Sequence, residues 1–404
     1  MTTLTDPPKE QFRLSMLLND TRYRSYTFQF IALILVVALI AYLGSNLVQN
    51  LRAAGLNISY EFLGEPAGYD INQRPIPYDS QSTHLRASFV GVLNTLIVAF
   101  LACITATVIG VIAGVLRLSN NWLVRKLMAV YVEAFRNVPV LIWILIIFTI
   151  MTATLPAPRA FRGEDPEATM LFGAFAFTNR GVYLPKPLFE PMGWVVLGVF
   201  IASIFGAIAY RRHATKLLYD TGRLLPMGWP TVAIIILPAV LAFFVLGRPI
   251  SLEYPELGGF NFRGGVQVLG SLIALWLALA IYTGAFIAEN VRAGIQAVSR
   301  GQTEAAASLG LRPRRIMNLV VLPQALRIII PPLISQYLNI TKNSSLAIAV
   351  GYMDITGTLG GITLNQTGRA IEAVLLLMLF YLTISLIISA VMNIYNNAVK
   401  LKER

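Results

Sequence analysis

Charge is scarce in this chain. Asp, Glu, Lys and Arg make up 13 per cent of its 404 residues, about half of the roughly 25 per cent usual in soluble domains. Cysteine is reduced to one residue, Cys103, inside an apolar run, which excludes an internal disulfide and a cysteine metal cluster. Histidine occurs twice, at His84 and His213, far apart and without an HExxH pattern, so no metal site is expected. None of the seven lysines follows a glycine, so there is no GxxxxGK[ST] phosphate loop, and no GxSxG stretch occurs either. An ATP-binding loop and a serine nucleophile elbow are thereby excluded. No catalytic residue and no cofactor is expected within this chain.

What is present is apolar. Hydrophobic residues make up 56 per cent of the chain, and the mean hydropathy is +0.66. Those values exclude a disordered chain, a collagen and a disulfide scaffold, and they point to a polytopic membrane protein. The net charge is +12, from 32 Lys and Arg against 20 Asp and Glu. In a soluble protein such a balance points to nucleic acid. Here the basic residues lie between apolar runs, where they set topology.

A helix of about 20 apolar residues spans the roughly 30 Å hydrocarbon layer. Eight such stretches occur, near 27–48, 87–116, 128–154, 193–210, 230–247, 265–289, 327–349 and 370–396. The seventh is expected to break at Pro331-Pro332, and the fourth is short. The first follows 26 mostly polar residues and lacks a small-x-small cleavage site, so it reads as a retained helix rather than a signal peptide. With the N-terminus placed in the cytoplasm, the inner segments hold 20 Lys and Arg and the outer ones 10. That excess matches the positive-inside rule with both termini inside. The outer segments 49–86, 155–192 and 248–264 are rich in Pro, Gly and aromatics, and are expected to form small caps. The Asn57-Ile58-Ser59 sequon matters only in a secretory pathway.

The acidic residues of the spans, Glu133, Glu289 and Glu372, all fall near predicted ends. Proton- or sodium-coupled carriers place ionisable groups near the midplane. The energy for any transport is therefore expected from another subunit. A stand-alone secondary amino-acid carrier is the alternative, and a membrane-embedded enzyme the third reading; the latter needs clustered His, Asp or Glu.

The longest inner segment, about 290–326, is basic and amphipathic. Glu304 to Leu309 favours helix, Gly310 can end it, and Pro313 can open a second helix at its first turn. The pattern alone describes an interfacial amphipathic hairpin. The residues say more. Glu304-Ala305-Ala306, then Gly310, Ile316 and Leu322-Pro323, preceded by Gln302 and Thr303, resemble the cytoplasmic EAA loop of ABC importer membrane subunits. In that family the loop docks in a groove of the ATPase subunit. The resemblance implies a coupling role for Glu304, Ala305, Ala306, Gly310, Arg312, Arg314 and Arg315.

Two further stretches resemble the polar amino-acid branch of that family, the histidine and glutamine permeases. Glu133, Phe135, Arg136 and Pro139 fit its E-x-FR-x-x-P stretch, with Asn137-Val138 where Gly-Thr is common, and Lys342-Asn343-Ser344-Ser345-Leu346 is similar to its KNTSL stretch. The resemblance covers about 87–154 and 265–396. The extra first helix and the inserted pair near 193–247 look like the larger, Q-type permease of the bacterial general L-amino acid ABC transporter.

The resemblance implies an all-α inner-membrane protein of about eight transmembrane helices around a five-helix type I importer core. The organisation is a cytoplasmic segment 1–26 and an added helix and loop 27–86. A transmembrane domain 87–396 follows, with its insertion at about 155–264, and then a cytoplasmic tail 397–404. Implied partners are a paralogous permease, two copies of a cytoplasmic ATPase that bind ATP and Mg, and a periplasmic amino-acid-binding protein. Nucleic acid is not among them.

Amino acids are zwitterions and need partners for a carboxylate and an ammonium. With Arg327, at the inner edge of the seventh stretch, counted with the inner segment, Arg136 and Lys342 are the two basic residues within the spans, and an intramembrane cation is a functional candidate. Alternatively, Arg136 forms a same-face ion pair with Glu133. The family resemblance brings the two stretches together around the pathway and implies Phe135, Arg136, Asn137, Val138, Lys342, Asn343 and Ser344 as lining residues. Gly110-x-x-x-Gly114 allows close helix approach, read here as packing within the chain, with contact to a second membrane subunit as the alternative.

Overall fold

The computed structural model describes residues 16–399, apart from Leu56, Glu164 and Leu224. The basic end of the expected tail, 400–404, and residues 1–15 lie outside the described residues. Among the described residues there are thirteen α-helices. They are α1 Met16–Asn19, α2 Thr21–Ala53, α3 His84–Leu116, α4 Trp122–Asn137, α5 Val140–Thr154, α6 Gly193–Thr221, α7 Gly228–Val245, α8 Gly270–Gln296, α9 Arg300–Ser308, α10 Pro313–Ile316, α11 Leu322–Asn343, α12 Leu364–Thr367 and α13 Ala370–Val399. Seven short strands lie between them: β1 Ala176–Thr178, β2 Gly181–Leu184, β3 Lys186–Phe189, β4 Ile250–Glu253, β5 Glu256–Gly258, β6 Asn261–Arg263 and β7 Val266–Leu269. Seven helical stretches are long and apolar enough to cross a membrane, and α4 with α5 makes an eighth if the bent pair is one span.

The chain forms two compact units, Met1–Glu61 and Phe62–Arg404. The first contains α2, a 33-residue helix about 50 Å long at 1.5 Å per residue. The boundary falls at Glu61, so residues 62–83 pack with the bundle. Tyr69 and His84 meet on the hydroxyl of Thr363, at 3.1 and 3.0 Å. Asn94 Nδ2 donates to the carbonyls of Gln73 and Met353, both at 2.9 Å.

The core of the second unit is the α3–α8 seam. Ala102, Ala106, Leu275, Ala278 and Leu279 are fully buried there with Ile144 of α5 and Ala325 of α11 near them. The seam is close because it is built on small residues. A Cβ on Gly110 would sit 2.5 Å from Ile287, and one on Gly114 would sit 2.6 Å from the Ala288 carbonyl. The glycine spacing is thus packing within the chain. Trp276 donates to Thr105, Ile287 meets Gly110 and Val291 meets Gly114, so α3 and α8 run parallel. Parallel spans need an odd number of crossings between them. The bent α4–α5 pair, α6 and α7 supply three.

Three expectations change, whereas the third span breaks at Pro139 as its sequence implies: α4 and α5 meet at 107°. Val138, ahead of Pro139, is extended at φ −112°, ψ 133°, as the proline ring requires of its predecessor. The seventh span is not broken at Pro331-Pro332. α11 runs through both prolines, since neighbouring helices can hold a helix whose proline gives up one backbone bond. Its backbone changes later, tightening to a 3₁₀ turn over Ser344–Val350. The fourth span is longer than its apolar run, because α6 continues through Arg211, Arg212 and Lys216 to a left-handed cap at Gly222. Lastly, the caps hold β-structure. β2 pairs with β1 and β7, β3 with β4, and β5 with β6, all antiparallel. The strands tie 176–189 to 250–269 and leave the α6–α7 pair as an excursion from one hairpin.

Candidate functional site

α8 fixes two faces of the unit. It starts immediately after β7, and its end leads through Ala297–Ser299 to α9. Twenty-seven residues separate the strand face from the α9–α10 face by about 40 Å.

On the second face, α9 ends at Ser308 with Leu309 as its cap, Gly310 adopts φ +76°, and Pro313 occupies the first turn of α10. Only glycine takes that left-handed geometry without strain. Ala306, Ile316 and Val321 form a small buried core beneath the hairpin, with Ile295, Val298 and Leu311 against it. Glu304, Ala305, Gly310, Arg312, Arg314 and Arg315 are exposed. Leu309 is 81 per cent exposed at the tip.

A second group of charges braces this end. Glu289 of α8 pairs with Arg117 at the end of α3, and accepts a 3.1 Å bond from Arg292 Nε. The Arg117 and Glu289 side chains are 14 and 23 per cent exposed. Charge-assisted bonds in such a half-dry site hold the seam shut at the end nearest the hairpin.

The FR stretch ends α4. Phe135 stacks on Trp143 of α5 at 4.1 Å between ring centres, across the break. Arg136 does not pair with Glu133. Its guanidinium lies 5.1 Å from the ring centre of Phe286 in α8, a cation–π contact. Glu133 instead accepts from Asn137 Nδ2 at 3.4 Å. Val138 is half-buried at the bend. Tyr131 donates to the Ile281 carbonyl at 2.6 Å, which fixes α4 against α8.

The KN stretch ends α11. Lys342 is exposed, Asn343 half-buried and Ser344 fully buried. The Ser344 hydroxyl donates to the Thr341 carbonyl at 2.7 Å. Lys342 lies between Ile329, which touches Gly294 near the hairpin, and Val350, at the strand face. The stretch after it, Leu346, Ala347 and Val350, packs in the same core as Val140 and Ile144 of α5. The two motifs are thus joined through α5, while Arg136 and Lys342 themselves share no hydrogen bond or ion pair.

Asp354 carries no signal in the sequence. It is fully buried, Oδ1 accepts from the Gly357 amide at 2.8 Å, and Oδ2 has no partner. Burial pushes its carboxyl up to about 6, because water no longer solvates the charged form.

An apolar bundle that carries an exposed basic hairpin at one end is the architecture of a type I importer permease. The family model described as "Binding-protein-dependent transport system inner membrane component" matches residues 198–401, and the chain belongs to that family. It is 52 per cent identical, over the whole of both chains, to the glutamate/glutamine/aspartate/asparagine transport system permease protein BztB of Rhodobacter capsulatus. It is 42 per cent identical to the general L-amino acid transport system permease protein AapQ of Rhizobium johnstonii, over 95 per cent of this chain and 94 per cent of AapQ. The glutamate/aspartate import permease protein GltJ of Escherichia coli is 32 per cent identical over 55 per cent of this chain and 95 per cent of its own length. A nearly whole permease is thus matched by little more than half of this chain.

Proposed function

We infer that this chain is the membrane permease of an ABC importer for L-amino acids, driven by a separate ATPase that binds ATP and Mg. The exposed α9–α10 hairpin carries the reading. It has the residues of the EAA loop, a tip of exposed Leu309 and three outward arginines, and a buried seat on Ile295 of α8 and on Val321 just ahead of α11 that can transmit movement. The names of the relatives support amino acids as the cargo. In this reading the hairpin and both termini face the cytoplasm and the strand face looks outward, as the excess of basic residues in the inner segments implies. A periplasmic binding protein delivers the amino acid, a paralogous permease completes the channel, and each ATPase of a pair docks on one hairpin. The carboxylates of α8 and α13 are engaged, Glu289 with Arg117 and Arg292 and Glu372 with Arg369. That arrangement favours an external energy source over ion coupling.

Gly310→Val tests the reading. A Cβ at Gly310 meets open space, so the variant strains only the turn, by about 1–2 kcal/mol, and leaves the bundle intact. Transport and substrate-stimulated ATPase activity of the assembled complex should be nearly abolished, with normal amounts in the membrane. Full transport by this variant would sink the coupling assignment.

A further inference from the structure

A cavity opens on the strand face, directly above the bundle core. Its volume is about 560 Å³, within the roughly 300–1,000 Å³ of small-molecule sites. The floor is Phe148 of α5, Leu269 at the end of β7, and Val350. Phe148, Leu269 and Val350 also belong to the α3–α5–α8 core, so the cavity sits over the junction of α5, α8 and the 3₁₀ turn that follows the KN stretch.

The walls are charged in one sense. Arg74, from the 62–83 segment, and Arg180, from the β1–β2 turn, both line the cavity, and no acidic residue does. Among the described residues each guanidinium has a single hydrogen-bond partner, a backbone carbonyl: Arg74 donates to Tyr78 at 3.0 Å and Arg180 to Phe260 at 3.5 Å. Among the described residues neither forms an ion pair. A guanidinium has five donors, so both keep most of their capacity open. Arg74 also borders a second cavity that Arg86 and Lys186 line with Asp79, which extends the positive field outward.

The turn that presents Arg180 is built. Thr178 Oγ1 donates to the Gly181 carbonyl at 2.8 Å and accepts the Arg180 amide at 3.2 Å. Gly181 has φ +131°, and a Cβ there would lie 2.2 Å from the Val268 carbonyl. The Arg180 carbonyl accepts from Gln267 Nε2 at 3.3 Å. Beside it, the side-chain oxygen of Asn179 is buried and has no hydrogen-bond partner, though Asn179 lines the cavity.

We propose that this cavity is a vestibule selective for acidic amino acids, which holds the two carboxylates of glutamate or aspartate on Arg74 and Arg180 before the substrate enters the bundle. Two cationic forks match a molecule with two carboxylates. A neutral amino acid leaves one fork unused, so the vestibule ranks acidic above neutral cargo. The proposal rests on the amino-acid importer reading and on the strand face being outermost.

The test uses the complete transporter in proteoliposomes, with saturating binding protein, and compares uptake of labelled L-glutamate and L-glutamine. In the double variant R74Q/R180Q the ratio of glutamate to glutamine uptake should fall about tenfold, the size expected for losing a charge-assisted contact. R74K/R180K should keep the ratio within about threefold, since the charge remains while the fork is lost. An unchanged ratio in the double glutamine variant overturns the proposal. If both rates hold, the cavity is off the route; if both fall together, the arginines serve docking of the binding protein. Uptake of neither amino acid by the unaltered complex would instead overturn the importer reading itself.

Discussion

The α3–α8 seam and the α6–α7 pair are both apolar enough to cross a membrane, yet they are built for opposite purposes. The most apolar stretch of α8 is 61 per cent buried, whereas that of α7 has no buried residue. At the seam, the residues in contact are glycine and alanine with one isoleucine or valine across. On α7, Trp229, Leu241, Phe244 and Val245 point outward, as lipid-facing residues do. Hydropathy gives the tendency to leave water. Residue size decides how closely two helices approach, because lipid tails solvate leucine as well as a protein core does and only close contact favours association. The seam is therefore the mechanical centre, and the pair an addition to it. The β3–β4 hairpin closes the root of that addition, with Phe189 opposite Ile250.

The sharpest way to break the contrast is to enlarge a glycine on each side. Gly110→Leu places atoms where Ile287 already sits and should destabilise the unit by about 3 kcal/mol or more. Gly198→Leu in α6 meets nothing within 4 Å and should be silent. Heating in detergent followed by size-exclusion chromatography reads both, and equal behaviour would erase the distinction.

A smaller effect is expected from the ion group at the end of the seam. Glu289→Ala removes the acceptor of both Arg117 and Arg292 and leaves two half-buried cations facing each other. The loss should be about 2 kcal/mol. It should be partly restored in Arg117→Met/Glu289→Met, where no charge is stranded between α3 and α8.

Asp354 gives a pH signature on the strand side of the bundle. The folded carboxyl titrates near 6, above the ordinary value of about 4. Between those values the folded chain holds a proton that the unfolded chain has lost. Stability therefore falls as pH rises through that window and is level above it. The melting temperature should rise by about 2–4 °C on going from pH 7.5 to pH 5 and stay flatter in Asp354→Asn. An unaltered slope in that variant would assign the dependence to another group.

The smallest change is expected from the largest deletion. Replacing residues 190–249 by Asn-Gly joins Phe189 to Ile250 through a two-residue hairpin. It removes two crossings, so the later helices keep their direction. The stability of the remaining bundle should stay within about 1 kcal/mol. Failure of this shortened chain to enter the membrane would make the pair part of the folding core.

Features that depend on near neighbours could be read from the chain alone. Eight apolar stretches, a bend ahead of Pro139, a helix end at Gly310 and a helix start at Pro313 all follow from φ limits, missing N–H groups and local hydropathy. The hairpin's exposed arginines were legible for the same reason. The expected break at Pro331-Pro332 was not found, since packing around α11 outweighs the two missing donors. Tertiary structure alone decided the rest. It turned Arg136 from Glu133 to Phe286, joined Arg117 to Glu289, buried Asp354, and brought Arg74 and Arg180 to one cavity. Those pairings join residues far apart in the chain. Which ones meet depends on the register of α3 against α8 and on strand pairing, and neither leaves a local mark.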